Sequence, residues 1–298
     1  MVKFRYKIKV SSKITIIGCG YLGSALAEVC IGKGWVVSAL TRNSETAAKL
    51  RNMGVSCVVE SQIENDDWHC QLDPNQDFVV NCVGASSSDT EGYITSYVEG
   101  QDSVMAWLEK GNVGTFLFTS SSSVYPQTGK RFVDETASSA GVSEKAGLLL
   151  AAEQKCFPPV SSIGRSFILR LAGLYGPGRH LLIDKIKSGE ELSGNSDRIL
   201  NLIHRDDAVN AIVTCLVSED SNIGRIYNVT DGNHATRGQI ATWIAENLNS
   251  GKAVFKEDDD ENTPNRKVSN NRILDELSWS PMFSSYQSGY QSILEENS

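Results

Sequence analysis

Paired cysteines and clustered histidines are missing from this sequence of 298 residues. Its seven cysteines stand at positions 19, 30, 57, 70, 82, 156 and 215, with no C-x-x-C pair among them. Scattered thiols are typical of a reducing compartment, where most of them serve as small core residues, so we expect a cytoplasmic protein. The four histidines, at positions 69, 180, 204 and 234, have no ligand spacing with one another or with cysteine, so we expect no metal site.

Long apolar runs and a surplus of positive charge are missing as well. No apolar stretch approaches the length of a membrane span, and no apolar segment of a signal peptide follows the basic N-terminus. The net charge is −8, and five of the cations lie within the first thirteen residues, so the remainder is more acidic still. An acidic body argues against a nucleic-acid footprint, which normally shows as a basic face. We therefore expect neither a membrane nor a nucleic acid as a partner.

Residues 1–12 form an extension that precedes the first predicted element. Apolar residues alternate with cations from Val2 to Val10, a period of two that suits either an added edge strand or an unstructured lead. We expect this extension to take no part in chemistry.

From residue 13 the sequence alternates β-rich runs with helical stretches, which is typical of a parallel sheet flanked by helices. Strands are predicted at 13–18, 35–42, 55–60, 77–84, 115–123 and 166–176, and helices at 21–33, 44–53, 91–110 and 143–154. We therefore expect an α/β fold whose doubly wound, Rossmann-type parallel sheet spans 13–176.

The pattern changes after Gly176. Short helices are predicted at 179–188 and 206–217, a strand at 225–232 and a further helix at 236–249. We expect 177–298 to form mostly a smaller substrate-binding lobe, with 200–232 returning to the first domain. The acidic run Glu257–Glu261 is predicted to be a solvated loop.

The segment GCGYLG (18–23) matches the pattern G-x-G-x-x-G, and it follows a predicted strand and opens a predicted helix. In that context Gly18 allows a tight turn, Gly20 lets the backbone approach a pyrophosphate, and Gly23 lets the helix pack against the strand. The phosphates then bind at the helix N-terminus, where free N–H groups and the helix dipole favour negative charge. The alternative is that the glycines serve only a tight turn.

The residue at the end of the second predicted strand indicates which of the two nicotinamide cofactors, NAD or NADP, is bound. An acidic residue there holds the ribose 2′-hydroxyl of NAD, whereas an arginine can accommodate the 2′-phosphate of NADP. This sequence has Leu40-Thr41-Arg42-Asn43, with no carboxylate before Glu45. Arg42 can form charge-assisted bonds to a phosphate, so we expect NADP, with NAD as the alternative. A solvated surface arginine is the other interpretation of Arg42.

With TSSSSVYPQ (119–127) the sequence resembles the extended short-chain dehydrogenase/reductases, the group of NAD(P)-dependent sugar epimerases and dehydratases. The likeness spans about 13–295 and rests on GCGYLG, TSSSSVY, RLAGLYGPGR (170–179), LIHRDD (202–207) and YNVTDG (227–232). The resemblance implies a serine that orients the substrate carbonyl, which matches Ser121, and a helix that carries Tyr-x-x-x-Lys. The residues that we expect to bind the cofactor are Gly18, Gly20, Tyr21, Leu22, Gly23, Arg42, Gly84, Ser120 and Ala172.

The Tyr-x-x-x-Lys pair of that family is missing here. When the helix is matched on the Ala-Ala-Glu that ends at Glu153, Lys145 takes the tyrosine position and Leu149 takes the lysine position. No tyrosine of the chain has a lysine four residues later. This loss makes the sequence similar to the atypical branch of the superfamily, whose members have often dropped the proton relay. Lys145 is either a partly desolvated acid beside the nicotinamide or an exposed residue of the first helical turn.

Tyr125 and Tyr175 are further candidates for the proton donor. Each ends a predicted strand, and open α/β sheets bind ligands at the carboxyl ends of their strands. An unperturbed tyrosine titrates at about pH 10, so either needs a cation such as Arg179 or Lys145 nearby to work well at neutral pH. Each tyrosine is alternatively a wall of the pocket.

The resemblance also implies substrate contacts in the second lobe. Arg179 and His204 stand where the family often contacts the diphosphate of a nucleotide sugar, and the planar guanidinium of Arg179 suits two phosphate oxygens. His204 is equally a hydrogen-bonded brace for Asp206 or Asp207. In the tail, the residues that either line the cleft or form a charged cap are Lys267, Ser269, Asn270 and Arg272.

Two hypotheses about function follow. The first is an NADP-dependent enzyme that performs oxidoreductase or epimerase/dehydratase-like chemistry on a hydroxyl or carbonyl of a small polar substrate, such as a nucleotide sugar. Hydride passes to or from nicotinamide C4, Ser121 polarises the oxygen, and Tyr125, Lys145 or Tyr175 transfers the proton. The second is a non-catalytic sensor that binds NADP(H) and reports its occupancy to a partner. The serine motif and YGPGR favour the enzyme, and the missing Tyr and Lys favour the sensor.

Overall fold

A computed structural model describes residues 11–157, 162–219, 224–251, 253–256 and 263–296. Almost all of the predicted extension 1–12 and the whole acidic run Glu257–Glu261 lie outside the described residues. In the described part of the chain, no helix is long and apolar enough to cross a membrane.

In the described residues the first strand begins at Lys13, and strands alternate with helices as predicted. The strands are β1 (Lys13–Ile17), β2 (Val36–Thr41), β3 (Cys57–Glu60), β4 (Gln76–Asn81), β5 (Val113–Ser121), β6 (Arg131–Val133), β7 (Ile163–Leu171), β8 (Gly173–Tyr175), β9 (Leu192–Ser193), β10 (Leu202–His204), β11 (Gly224–Val229), β12 (Phe255–Lys256) and β13 (Arg266–Val268). The helices are α1 (Tyr21–Gly32), α2 (Ser44–Met53), α3 (Thr90–Ile94), α4 (Gly100–Leu108), α5 (Glu144–Lys155), α6 (Leu181–Lys187), α7 (Arg205–Val217), α8 (Arg237–Asn247), α9 (Asn271–Leu277) and α10 (Tyr286–Glu296). A π-helical turn (Thr95–Glu99) joins α3 to α4, and a 3₁₀ turn (Ser122–Val124) follows β5.

Seven of these strands form one sheet in the order β11-β7-β5-β4-β1-β2-β3. The pairs β1–β2, β1–β4, β2–β3 and β4–β5 are parallel. The strands are apolar along most of their length, and Ile14, Ile16 and Ile17 of β1 are all fully buried. Continuous apolar runs are what a parallel sheet covered on both faces requires. The predicted Rossmann-type α/β fold is therefore confirmed.

The sheet order reverses beside β1. The chain adds β2 and β3 on one side of β1 and then crosses to β4 on the other side. Ligands of open α/β sheets bind outside the carboxyl ends of the strands at such a reversal. Here the last residues of β1 and β4, Ile17 and Asn81, are paired, so the segments that follow these two strands leave the sheet side by side.

The chain divides into two units. The first consists of the chain up to Ser121 together with Ser143–Arg170 and Val209–Tyr227, and the second consists of Ser122–Val142, Leu171–Ala208 and the chain from Asn228 onward. The glycine-rich turn and α5 belong to the first unit. A separate apolar core, in which α6, α8 and α10 contribute Ile183, Ile240 and Ile293, belongs to the second.

The prediction of one strand over 166–176 was wrong, because this segment is broken at Ala172 into β7 and β8. The Ala172 N–H donates to the Val229 carbonyl oxygen over 3.0 Å, and the next N–H, of Gly173, donates to the Asn201 carbonyl oxygen over 3.0 Å. The backbone thus changes its hydrogen-bonding partner within one residue. β8 then pairs in parallel with β10, outside the main sheet.

Candidate functional site

Gly18 shapes the turn that follows β1. Its φ angle is +76°, and the N–H groups of Gly18 and Cys19 both donate to the Leu40 carbonyl oxygen, over 3.0 and 2.9 Å. A Cβ atom at Gly18 would lie 2.4 Å from Val83 Cγ2 and 2.7 Å from the Val83 backbone nitrogen. A Cβ at Gly23 would lie 3.0 Å from the Gly18 carbonyl oxygen. The turn therefore packs too closely on its surroundings to accept a side chain at Gly18, and it leaves little room for one at Gly23.

Gly20, by contrast, borders open space. A Cβ built there would meet nothing closer than the Gly18 carbonyl oxygen at 4.0 Å. Gly20 is the N-cap of α1, so no side chain caps this helix, and the first turn holds no acidic residue. Leu22 is buried beneath the turn, and Tyr21 is half-buried. An uncapped twelve-residue helix behind an exposed glycine is suited to bind the phosphates of a dinucleotide.

Arg42 lies at the end of β2, where the cofactor ribose is expected. Its guanidinium is exposed, and Nη2 donates to the Ser86 carbonyl oxygen over 3.3 Å. The nearest carboxylate in sequence, Glu45, pairs with Lys49 over 2.8 Å on the surface of α2. Asn43 is occupied as the N-cap of α2, where its side chain accepts the Thr46 N–H. The position that holds an acid in NAD-specific sites therefore holds a cation here.

Gly84 lies in the loop after β4. Its neighbour Val83 packs against Gly18 of the glycine-rich turn. Nothing lies within 4 Å of a Cβ built at Gly84. The Asn81 side chain fixes the start of this loop, because it accepts the Val83 N–H over 3.0 Å and donates to Gln101 over 2.9 Å. The loop thus has a fixed start and an open surface at Gly84.

Ser120 and Ser121 end β5 and point to opposite faces of the strand, since successive side chains alternate. The Ser120 hydroxyl donates to Glu153 over 2.5 Å. Glu153 is 3% exposed, and Arg170 binds both of its oxygens, with its shortest contact at 2.6 Å. The structure thus directs Ser120 to a buried ion pair and leaves half-buried Ser121 on the other face.

The first turn of α5 holds Lys145 against the loop after β4. Lys145 Nζ donates to the Ser88 carbonyl oxygen over 2.5 Å and lies 5.8 Å from the centre of the Tyr93 ring. Its side chain is half-buried. One turn later Leu149 is buried in the core, so no second cation takes the place of the family's lysine.

The two candidate tyrosines lie in the interior of the second unit. Tyr125 is fully buried, and its hydroxyl donates to Asn228 Oδ1 over 2.8 Å. Tyr175 is also buried, and burial, with a smaller contribution from Asp231, raises the pKa of its phenol far above the usual range. This arrangement favours a bracing role for Tyr125, and the surroundings of Tyr175 oppose its ionisation.

Of the two candidate substrate contacts, one is exposed and the other is buried. Arg179 is exposed and closes the YGPGR turn through paired backbone bonds with Gly176, of 2.9 and 3.2 Å. His204 is buried between the rings of Tyr175 and Phe283, with ring centres 5.3 and 4.1 Å away. Burial lowers the pKa of His204, whose Nδ1 accepts the N–H of Asp206 over 3.3 Å. His204 therefore resembles the predicted brace more than an accessible ligand.

The model of the NAD-dependent epimerase/dehydratase family matches residues 14–230. The chain belongs to this family. Protein YeeZ of Escherichia coli (strain K12) is 27% identical to the chain over 275 residues, which cover 89% of this chain and 94% of YeeZ.

Solved structures of the family share the fold over almost the whole chain. A putative NAD-dependent epimerase/dehydratase from Methylobacillus flagellatus is 26% identical, has a TM-score of 0.79, and covers 96% of this chain and 98% of its own. UDP-glucuronic acid 4-epimerase from Bacillus cereus, in complex with UDP-glucuronic acid and NAD, is 18% identical with a TM-score of 0.82 and covers 96% of this chain and 100% of its own. At 18% identity the second likeness shows the fold alone.

The contact between Glu153 and Arg170 was not predicted, although each is a charged residue beside apolar neighbours, Ala152 in α5 and Leu169 and Leu171 in β7. Such a residue must find a partner when it is buried, and this was the available signal. Among the described residues, no group of three or more candidate ligands could hold a metal ion.

Proposed function

We propose that this chain is an NADP-dependent enzyme that oxidises or reduces a hydroxyl or carbonyl carbon of a small polar substrate, with a nucleotide sugar as the preferred class. One observation carries the proposal. The uncapped N-terminus of α1, reached past exposed Gly20, lies at the reversal of the sheet order, and Arg42 takes the adjacent position of the ribose-binding acid.

The cofactor's phosphates divide between two parts of the chain. The free N–H groups at the start of α1 hold the pyrophosphate, and the guanidinium of Arg42 binds the 2′-phosphate. When bound, NADP supplies a hydride acceptor or donor at nicotinamide C4. A hydrogen bond to a charged group contributes about 1.5–3 kcal/mol, so Arg42 alone can produce a clear preference over NAD.

Ser121 and Lys145 act on the substrate oxygen. The Ser121 hydroxyl donates a hydrogen bond to this oxygen and polarises the carbonyl. Lys145 donates one N–H to the Ser88 carbonyl oxygen, which fixes the direction of the ammonium. A further N–H of the ammonium transfers its proton to the substrate oxygen when the carbonyl is reduced, and the neutral amine takes that proton back when the hydroxyl is oxidised. Lys145 is favoured over Tyr125 and Tyr175 as the proton donor. The Tyr125 hydroxyl donates to Asn228, and burial opposes the ionisation of Tyr175.

A solved structure with the same fold supports the nucleotide-sugar class of substrate. UDP-glucuronic acid 4-epimerase from Bacillus cereus binds UDP-glucuronic acid with NAD on the same fold. In this chain the exposed guanidinium of Arg179, on the YGPGR turn, offers a planar donor suited to a diphosphate.

The test is a screen of nucleotide sugars and small aldehydes that follows the absorbance of the reduced cofactor. With an active substrate, Lys145→Met is expected to lower kcat by roughly 10²- to 10⁴-fold while the affinity for NADPH stays unchanged. Lys155→Met is the matched control, because Lys155 ends the same helix and pairs with Asp102 over 2.6 Å. Full activity of Lys145→Met would refute the role of Lys145. Tight NADPH binding without turnover on any substrate would refute the enzyme and favour the sensor.

A further inference from the structure

The backbone of Ser86, in the loop after β4, lies between Arg42 and the π-helical turn. Its carbonyl oxygen accepts a hydrogen bond from Arg42 Nη2 over 3.3 Å, and its N–H donates to Ser96 Oγ over 2.9 Å. Ser96 is 3% exposed, so its hydroxyl acts on a bound molecule only through neighbouring groups. Two consecutive hydrogen bonds therefore connect a buried hydroxyl to the guanidinium that we assign to the 2′-phosphate.

The π-helical turn fixes the position of Ser96. The Gly100 N–H donates to the Thr95 carbonyl oxygen, five residues back, and a Cβ at Gly100 would lie only 3.1 Å from that oxygen. Tyr97, which follows Ser96, forms a hydrogen bond with the backbone of Ala85. Two consecutive residues of the turn thus bind two consecutive residues of the loop. Turns of this kind are rare in helices and frequently lie at functional sites.

The hydrogen bond to Ser96 is the shortest that Ser86 makes with the described residues. The Ser86 N–H and hydroxyl both also donate to the Gly92 carbonyl oxygen, each over 3.3 Å. Gly92 is itself fixed, because its N–H donates to Asp89 Oδ1 over 2.9 Å and a Cβ there would collide with Ser87. Loss of the Ser96 hydroxyl should therefore leave the loop folded but change the direction of the Ser86 carbonyl group.

We infer that Ser96 is a positioning residue for the choice of cofactor. It fixes the Ser86 carbonyl group, which holds the Arg42 guanidinium where it meets the 2′-phosphate of NADP. A long side chain that is immobilised only on binding lowers the affinity, and an arginine that is already restrained avoids part of this cost. The inference rests on the NADP-dependent function proposed above. Because NAD carries a hydroxyl in place of the 2′-phosphate, Ser96 should affect the binding of NADPH and not that of NADH.

Fluorescence titration of the full chain with NADPH and with NADH tests this inference. Ser96→Ala is expected to weaken NADPH binding about threefold to tenfold, the range that immobilising one long side chain costs, and to leave NADH binding within about twofold. A purely structural role would weaken both cofactors equally, because they differ only in the 2′-phosphate. Ser96→Thr keeps the hydroxyl and should keep the ratio of the two affinities. Adenosine 2′,5′-bisphosphate and AMP should show the same difference as NADPH and NADH.

Ser103→Ala is the matched control. Ser103 lies in α4, is 6% exposed, and donates from its hydroxyl to Asp66 over 2.8 Å instead of contacting the loop after β4. Its removal deletes an equally buried hydroxyl and should leave the ratio of the two affinities unchanged. In the background of Arg42→Ala, Ser96→Ala should have no further effect on this ratio, because the two residues act through one chain of contacts. Melting temperatures show which variants are folded.

The outcomes separate this inference from the proposed function. Equal binding of NADPH and NADH by the wild type would refute the assignment of NADP and this inference together. A preference for NADPH that Ser96→Ala retains in full would overturn this inference alone. The same holds if Ser96→Ala changes the ratio equally with and without Arg42. If Ser96→Ala does not fold, Ser96→Cys decides the question, because its thiol has a similar size but is a weak acceptor, so an unchanged ratio would overturn the inference.

Discussion

Arg42 donates from Nη2 to the carbonyl oxygen of Ser86 over 3.3 Å, and this bond links the end of β2 to the loop after β4. In the sheet these two strands flank β1, which ends at the glycine-rich turn. The Ser86 carbonyl oxygen therefore holds the exposed guanidinium beside the turn, and the guanidinium has further N–H groups that can bind a ligand. This position gives Arg42 its proposed role in the choice of cofactor.

Replacing Arg42 by alanine is expected to remove the preference for NADPH. The affinity for NADPH should fall roughly tenfold to a hundredfold, because bonds from a cation to a phosphate are lost, while the affinity for NADH should change little. Fluorescence titration of both reduced cofactors measures this. Arg51→Ala is the control, because Arg51 is an exposed arginine of the same unit that pairs with Glu60 over 2.7 Å. Equal binding of NADPH and NADH by the wild type would refute the assignment of NADP.

Two glycines with positive φ angles predict different costs for alanine. Gly54 has φ of +96° and open space around its Cβ position, so Gly54→Ala should cost about 1 kcal/mol of backbone strain alone. Gly18 has φ of +76° and also meets Val83 at 2.4 Å, so Gly18→Ala should cost roughly 3 kcal/mol or more. Urea unfolding of both variants measures the difference. Equal costs would mean that the turn can move away from Val83.

The buried pair of Glu153 and Arg170 should matter far more to stability than an exposed pair. Glu153→Ala removes the carboxylate that pairs with the buried Arg170 guanidinium, so the free energy of unfolding should fall by about 3–5 kcal/mol. Glu60→Ala breaks an exposed pair with Arg51 and should cost less than about 1 kcal/mol. Denaturant titration compares the two variants. A small loss in Glu153→Ala would show that water reaches the Arg170 guanidinium.

Stability should also depend on pH through Asp231. Burial raises the pKa of this carboxyl from 3.8 to about 7. The pKa of Asp231 in the folded state lies above its pKa in the unfolded state. The contribution of protonated Asp231 to the free energy of unfolding is therefore complete below about pH 4, and it is lost as the pH rises through about 7. Burial raises the pKa of neighbouring Asp207 in the same direction. Asp231→Asn should therefore be more stable than the wild type at about pH 8, and this advantage should vanish at about pH 4. The unfolding midpoints of the wild type and of Asp231→Asn across that pH range provide the measurement. A difference between the two proteins that stays the same at every pH would contradict the raised pKa of Asp231.

Most of the first unit could be predicted from the sequence because its signals are local. Each central strand is a continuous apolar run next to a glycine or a turn, so the prediction of 13–18 matches Lys13–Ile17 and that of 21–33 matches Tyr21–Gly32 within one residue. The positions of the glycine-rich turn and of Arg42 could be predicted for the same reason, since each directly follows a strand. Their roles in cofactor binding stay predictions.

The second unit and the surroundings of the candidate catalytic residues were harder to predict because their contacts are distant in sequence. Strands of two or three residues, such as Leu192–Ser193, are too short to show a period of two. The Tyr125 hydroxyl donates to Asn228, 103 residues later, so no local pattern could indicate this hydrogen bond. The assignments of Ser121 and Lys145 stay predictions until a substrate is in hand.

The affinity of Gly20→Ala for NADPH tests the cofactor site most directly. A Cβ at Gly20 meets no atom closer than 4.0 Å, so the free protein should keep the melting temperature of the wild type. The same Cβ would occupy the space through which the pyrophosphate reaches the N–H groups of α1. Calorimetric titration should therefore show NADPH binding to the wild type, weakened at least about tenfold in Gly20→Ala. Unchanged affinity in a fully folded variant, or no binding to the wild type, would contradict the dinucleotide site.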